Sequence, residues 1–317
     1  MPKLDVAVFG PRGYAGQELE TILERHPEVG RVIPMGRHDY VENMPDVAAA
    51  FLALPTGESG KLAPGLLKTG AAVIDLSGDF RFETAAEYKR WYGSEHPAPE
   101  LVPMAVYGLP EFSRADMVGK KLIANPGCYP TATLLGLAPI ADEDGLLSPH
   151  GSIVVDAVSG VSGMGINKKT EADRVIESGE SYVYKPGRVH QHVGEIEQFL
   201  GGEKIFFSPS VGPFHSGMLV RTTVQLRERS DAQRAQEILE ETYTDEQFVQ
   251  VLPMGEFPSI ETTRDTDICV IGLVAAGCTL QIISSIDNLR KGAATQAVQG
   301  FNVVFGFPEA TALTPAI

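Results

Sequence analysis

The feature that most restricts the fold stands at the start of the chain. Leu4 to Phe9 is a short apolar run that stops at Gly10, and Gly13 and Gly16 follow at three-residue spacing. From Tyr14 to Arg25, the residues Ala15, Leu19, Ile22 and Leu23 fall on one helical face, and His26-Pro27 closes the segment. Apolar strand, glycine turn and amphipathic helix in that order open a βαβ unit, whose glycines let the backbone approach a pyrophosphate at the helix N-terminus. Alone, such a motif describes a plain tight turn nearly as well. At the head of an alternating strand and helix pattern it marks Gly10, Gly13, Tyr14, Ala15 and Gly16 as cofactor contacts.

That alternation continues. Arg31 to Met35 reads as a second strand, and Gly36-Arg37-His38-Asp39 lies just beyond it, where a dinucleotide fold chooses between a ribose hydroxyl and a 2′-phosphate. Met35-Gly36 carries no acid and Arg37 offers a guanidinium fork, which suits the phosphate of NADP. Val47 to Leu54 is an almost unbroken apolar run, as a buried parallel strand requires, and it ends at Pro55-Thr56-Gly57. Pro55 is therefore a further cofactor contact. Ala71 to Leu76 and Lys121 to Ala124 read as strands, with an exposed helix over Thr84 to Tyr92 between them. The expected architecture of this half is α/β, a Rossmann-like doubly wound sheet.

The last of these strands stops at Asn125-Pro126-Gly127, and a helical apolar pattern resumes after Pro130. Pro126 disfavours helix at Asn125, Gly127 permits a tight turn, and Pro130 suits a first helical turn. Cys128 thus falls at the start of a helix, where the positive end of the dipole favours a thiolate. Cysteines are more often inert core residues, but an inert thiol has no need of three backbone-shaping neighbours. Cys128 is expected to be a nucleophile.

Beyond it the texture changes. Ser152 to Val158, Gly217 to Leu226, Ile268 to Val274 and Thr279 to Ile286 read as longer, alternating strands, and Asp231 to Tyr243 as an amphipathic helix. This half is expected to be an α+β domain of largely antiparallel sheet. Asn288 to Phe305 reads as helical again, so residues 1–127 plus 288–317 form the expected dinucleotide-binding domain and 128–287 the catalytic, substrate and oligomerisation domain. His190-Gln191-His192, followed by Glu195, is the second reactive constellation: a histidine near a thiol can serve as acid–base group, with a carboxylate to orient it. The pair also resembles a zinc site. With no further His or Cys close in sequence, that reading ranks lower and no metal is expected. Ser159 to Gly165 is too rich in glycine and hydroxyls for a core, so Ser159 and Gly160 are expected to line the cofactor, with Asn288 capping the terminal helix beside them.

Composition narrows the partners. A net charge of −15 over 317 residues argues against nucleic acid, which needs a basic face, and leaves an anionic substrate dependent on local cations. Three cysteines imply no disulfide framework. The absence of a signal-like segment or an 18-residue apolar run points to a cytoplasmic protein without a membrane partner.

The segment IANPGCYPTATLLGLAP at 123–139 resembles the active-site signature of N-acetyl-γ-glutamyl-phosphate reductases. The resemblance extends to FLALPTGES at 51–59, VIDLSGDFR at 73–81, VYGLPEF at 106–112, DAVSGVSGMG at 156–165, HQHVGEIEQ at 190–198 and IDNLRKGAATQAVQGFN at 286–302. It implies a two-domain, NADP-dependent enzyme of the aspartate-semialdehyde dehydrogenase-like group, a homodimer or homotetramer acting on a small acyl phosphate. Cys128 would form a thioester, His190 would be the acid–base histidine and Glu195 its associated carboxylate. The stretch between Gly36 and Phe51 is shorter than in many members, and Ser210 and Ser216 stand where many carry His and Arg. A reductase of carrier-bound aminoadipyl phosphate in lysine biosynthesis, an aspartate-semialdehyde dehydrogenase, a non-catalytic dinucleotide sensor and a cysteine hydrolase are the competing readings.

Overall fold

The computed structural model describes residues 3–36 and 46–316; Arg37, His38 and Asp39, expected at the adenosine side of a cofactor, lie outside the described residues. The chain divides into two compact units, Met1–Gly127 with Ala293–Leu313 and Cys128–Gly292 with Thr314–Ile317.

In the first unit, β1 (Leu4–Phe9), α1 (Tyr14–Glu24), β2 (Val29–Met35), β3 (Ala49–Leu52), α2 (Ser59–Lys68), β4 (Ala72–Asp75), α3 (Ala85–Tyr92), β5 (Val106–Tyr107), α4 (Pro110–Met117) and β6 (Leu122–Ala124) follow one another. Their strands make one six-stranded sheet in the order β2-β1-β3-β4-β6-β5, parallel at every pairing. The short strands β3, β4 and β6 are buried at every residue, which is why they read as unbroken apolar runs rather than alternating ones. Phe9, Leu52, Leu66, Val73, Phe80 and Leu122 share one core cluster. The order reverses between β1 and β3, and at such a switch point a doubly wound sheet binds ligands beyond its carboxyl ends.

The second unit runs α5 (Cys128–Asp142), β7 (Ile153–Ser159), α6 (Lys169–Ser178), β8 (Tyr182–Val183), α7 (Gln191–Phe199), β9 (Ile205–Val211), β10 (Met218–Gln225), α8 (Asp231–Tyr243), β11 (Val249–Val251), α9 (Ile260–Thr263), β12 (Cys269–Ala276) and β13 (Thr279–Ile286). The sheet order is β11-β12-β13-β10-β7-β9-β8. Four of its pairings are antiparallel, and β7–β9 and β11–β12 are parallel, so the sheet is mixed while remaining largely antiparallel. Helix α5 is apolar nearly all round and buried along most of its length, as expected of a helix enclosed by other elements. It packs on β10, β13, α7 and α8. Its fit to the sheet depends on Gly136, where a Cβ would stand 2.6 Å from Ser284 Oγ.

After β13 the chain makes a π-helical turn, Arg290–Ala294, and continues as α10 (Thr295–Phe305). Helix α10 lies against α1, α4 and β4 within the first unit, and His26 bonds Asn302 there at 2.8 Å.

Candidate active site

Cys128 is the first residue of α5 and is half-buried. The sequence places it there by punctuation, since Pro126-Gly127 ends the extended segment and Pro130 suits a first helical turn. The segment before it is fixed from the first unit's side. Arg81 Nε donates to the carbonyl of Asn125 at 2.8 Å and Arg81 Nη2 to that of Leu76 at 2.8 Å, while Asn125 Nδ2 donates to the Ala293 carbonyl at 3.3 Å. On the second unit's side, the π-helical turn brings Gly292 against the nucleophile: a Cβ at 292 would stand 2.8 Å from Cys128 Cβ. A thiol at the start of a 15-residue helix meets the positive end of the dipole, which stabilises its thiolate.

His190 is the N-cap of α7, and its Nδ1 accepts the backbone N–H of His192 at 3.2 Å. With Nδ1 occupied as an acceptor, the proton of the neutral ring sits on Nε2. Burial, and after it the ammonium of Lys185, holds the His190 pKa down at about 4, so the ring is neutral at pH 7 and offers Nε2–H as a donor. The surroundings are aromatic: Tyr129, Tyr184, His192 and Phe207 have ring centroids 5.9, 5.7, 4.7 and 5.4 Å from that of His190. Tyr184 donates its hydroxyl to Tyr129 Oη at 3.2 Å, and Tyr129 donates to the Ser210 carbonyl at 3.4 Å. Burial pushes both phenols up, with the charge of Cys128 adding to the shift of each. The residue after the nucleophile and the ring beside His190 therefore form one hydrogen-bonded pair.

Glu195 follows on α7 and is buried, 1% exposed. Ser159 ends β7 and Gly160 follows it; a Cβ at Gly160 would stand 2.4 Å from the His215 carbonyl oxygen. Asn288 is buried and uses both ends of its amide, accepting from Gly217 N–H at 2.8 Å and donating to Ser162 Oγ at 2.9 Å. It therefore clamps the Ser159–Gly165 loop to the Gly212–Gly217 loop. The second unit thus brings Cys128, His190 and Glu195 onto neighbouring helices, with Ser159, Gly160 and Asn288 in one loop cluster.

The remaining sequence-expected residues stand in the first unit, at the switch point of its sheet. Gly10 follows β1 with φ +79°, and a Cβ there would stand 2.2 Å from the Ala53 carbonyl oxygen. A Cβ on Gly16 would stand 2.2 Å from the Gly10 oxygen. Gly13 is the N-cap of α1 and supplies no side chain to cap it, so Tyr14, Ala15 and Gly16 form a first turn fit to receive a phosphate. Pro55 opens the neighbouring loop after β3. That loop is held by a carboxylate missed in the sequence: Asp79 Oδ1 and Oδ2 accept the N–H groups of Gly57 and Gly60 at 2.6 and 2.7 Å. Asp75, close by and wholly buried, has its pKa raised to about 6 by desolvation and by the charge of Asp79, against the pull of its hydrogen bonds. Close glycine packing, an uncapped helix start and a preformed β3 loop fit a dinucleotide.

Comparison with known proteins gives this arrangement its class. Residues 37–120 match the family described as semialdehyde dehydrogenase, NAD binding domain, and residues 128–288 that described as semialdehyde dehydrogenase, dimerisation domain. The chain is a semialdehyde dehydrogenase-type oxidoreductase with a nicotinamide-binding domain. Among such enzymes it belongs to the N-acetyl-gamma-glutamyl-phosphate reductase family: it is 39% identical to the reductase of Dehalococcoides mccartyi, with 99% of this chain and 98% of that protein covered. The reductase of Geobacter sulfurreducens is 40% identical, covering 98% of each. Aspartate semialdehyde dehydrogenase II of Vibrio cholerae shares the fold, with a TM-score of 0.74 at 20% identity over 95% of this chain and 98% of that one. Among the described residues no helix is long and apolar enough to cross a membrane.

Proposed function

We propose that this chain catalyses the NADPH-dependent reduction of N-acetyl-γ-glutamyl phosphate to N-acetylglutamate 5-semialdehyde with release of phosphate, as a cytoplasmic homo-oligomer in arginine biosynthesis. The observation that carries the reading is Cys128 at a helix start, in the same unit as a buried His190 held in its Nε2–H form, within a chain about two-fifths identical over its length to reductases of that name.

The Cys128 thiolate attacks the acyl carbon, and collapse of the tetrahedral adduct breaks the carbon–oxygen bond to phosphate and leaves a thioester. The proton lost by the thiol balances the one taken up by the departing phosphate. A nicotinamide would supply the hydride that reduces this thioester; the Gly10 to Gly16 turn, Pro55 and Arg37 of the first unit, and Ser159, Gly160 and Asn288 of the second, are the residues that would hold it. The resulting oxyanion expels the Cys128 thiolate as the aldehyde forms. His190 serves both steps by donating Nε2–H to the oxygen that gains charge, which is worth most in a site closed to water. Because its ring is neutral, it acts by hydrogen bonding rather than by surrendering its only ring proton. Glu195, buried on the helix that His190 caps, belongs to the support of that ring. The preference for NADPH rests on Arg37 following a strand end without an acid.

The test runs the reaction backwards with N-acetylglutamate semialdehyde, phosphate and NADP. Strictly phosphate-dependent appearance of NADPH is expected, with aspartate semialdehyde as a poor substitute. Cys128→Ser should fold and bind cofactor but lose activity by a factor on the order of 10³ or more, since a neutral hydroxyl is a weak nucleophile. Retention of most activity in that variant would sink the covalent mechanism.

A further inference from the structure

The sheet edge beside His190 carries a feature that this chemistry does not use. Strand β8 runs antiparallel to β9, with Tyr182 opposite Val211 and Val183 opposite Ser210, and Tyr184 N–H donates to the Pro209 carbonyl at 3.0 Å. The pairing resumes at Gly187, whose N–H donates to the Phe207 carbonyl at 2.7 Å and whose carbonyl accepts from Phe207 N–H at 3.3 Å. Two residues, Lys185 and Pro186, therefore stand opposite the single Ser208, which makes a β-bulge. Bulges at sheet edges re-aim side chains and are frequent next to active sites.

The bulge forces Lys185 to φ +46°, a left-handed conformation that a residue with a Cβ adopts only under constraint. Glycine would fit there without strain, yet the chain keeps a lysine. Arg188 and Lys204 both pair with Glu197, and Lys168 with Glu171, while Lys169 and Arg174 of α6 make no ion pair among the described residues. Among the described residues Lys185 makes no ion pair, and its side chain is exposed. It directly follows Tyr184, which meets the His190 ring edge-on and bonds the phenol next to Cys128. Its charge is felt at His190 itself. A protein of net charge −15 repels an anionic substrate unless a local cation offsets that field.

We infer that Lys185 binds an anionic group of the substrate, either its phosphoryl group or its carboxylate, and that the edge bulge exists to aim it at the His190 site. The inference rests on the acyl-phosphate reading above for the identity of the anion, but the cation site can be probed without it.

In the reverse assay, Lys185→Gln should raise the KM of one anion roughly ten- to a hundredfold, as expected for loss of a charge-assisted contact, with kcat changed less than about threefold. A rise in the KM of phosphate assigns the phosphoryl group, and a rise in that of the semialdehyde assigns the carboxylate. Lys185→Arg should retain most of the affinity. Lys185→Gly should show the same rise in KM while gaining about 2–4 °C in Tm from relief of the left-handed strain, which separates lost binding from misfolding. Independently of turnover, inorganic phosphate or N-acetylglutamate should slow alkylation of Cys128 by iodoacetamide in the wild type and much less in Lys185→Gln. If the wild type fails to turn over but this protection holds and depends on Lys185, the substrate assignment falls and the anion site stands. Unchanged KM values with equal protection overturn the inference. So does an effect confined to kcat with a displaced pH profile, which would make Lys185 an electrostatic neighbour of His190 and no more.

Discussion

Replacing Gly292 by Ala tests whether the placement of the thiol, rather than its mere presence, sets the rate. The new methyl would meet Cys128 Cβ at 2.8 Å, Ile286 Cδ1 at 3.2 Å and the Asp287 carbonyl oxygen at 3.3 Å. Carbon atoms in comfortable contact stand at about 3.5–4.0 Å, so the first of these is short by roughly 0.7 Å or more. Ile286 can rotate its terminal methyl away. The Asp287 carbonyl cannot retreat cheaply, because it accepts the N–H of residue 292 at 2.9 Å. Cys128, at the end of its helix, is the group that yields. A displacement approaching 1 Å at a reacting group costs on the order of 10²-fold, so kcat should fall by roughly ten- to a hundredfold while the Kd for NADP is unchanged. Overpacking costs about 1–3 kcal/mol, and alanine returns up to about 1 kcal/mol as the better helix former, so Tm should fall by no more than a few degrees. Steady-state kinetics, cofactor titration and the rate of Cys128 alkylation measure the three quantities. A folded Gly292→Ala protein with kcat within a factor of about two of wild type would refute the argument.

Four further outcomes follow. His190→Asn should lower kcat by roughly 10²–10³, the worth of one donor to an oxyanion, and His192→Asn much less, because the contact that fixes the His190 tautomer comes from the backbone N–H of residue 192; equal losses, with zinc bound to the purified protein, would favour a metal site instead. In the free enzyme the His190 ring resonances should titrate near pH 4 rather than 6.5; since its folded pKa lies below the unfolded value, the stability this residue contributes is complete above about pH 6.5 and is lost as pH falls towards 4. Asp75 behaves in the opposite sense: its folded pKa of about 6 exceeds the ordinary 3.8, so the wild type loses stability as pH rises from about 4 to 6, by up to about 3 kcal/mol. Asp75→Asn should therefore gain Tm over wild type at pH 8 and lose that advantage at pH 4, and an advantage independent of pH would contradict the raised pKa. Arg37→Ala should weaken NADPH use by about ten- to a hundredfold while barely changing NADH use, and an unchanged preference would remove Arg37 from the site.

The elements that sequence pattern located are those whose own residues carry the period. Strands β1 and β13 and helix α8 lie where apolar runs and 3.6-residue spacing place them. Helix α2 carries the same spacing at Leu62, Ala63, Leu66 and Leu67, but it starts Ser-Gly and contains Pro64 and Gly65, all poor in helix interiors, and these mask it. What steadies its start is the Asp79 carboxylate, which accepts N–H groups from Gly57 and Gly60 about twenty residues earlier in the chain. Strand β8 has only two residues, too few for alternation to register, and owes its existence to pairing with β9. Strand direction was illegible for a different reason. A run such as Ile205–Val211 alternates equally well whether its neighbour is parallel or antiparallel; here β9 lies parallel to β7, which requires a long crossover, and helices α6 and α7 together with β8 occupy it.

The site divides along the same line between local and distant causes. Cys128 was legible because the residues that place it, Pro126, Gly127 and Pro130, are its immediate neighbours. His190 was legible as a residue type, but its state was not. The fold supplies an N-cap that occupies Nδ1 and surrounds the ring with Tyr129, Tyr184 and Phe207. The two tyrosines around the ring are 55 residues apart in sequence, and Gly292, whose missing side chain leaves room for Cys128, is far from it along the chain. Such contacts leave no local signature, yet they set the charge state of the ring. On the mechanism proposed above, in which hydride would turn the thioester into an oxyanion that then expels thiolate, the donor need not part with its proton. A neutral ring held in one tautomer meets that demand, and a solvated ring of ordinary pKa would spend part of its time in the wrong charge state.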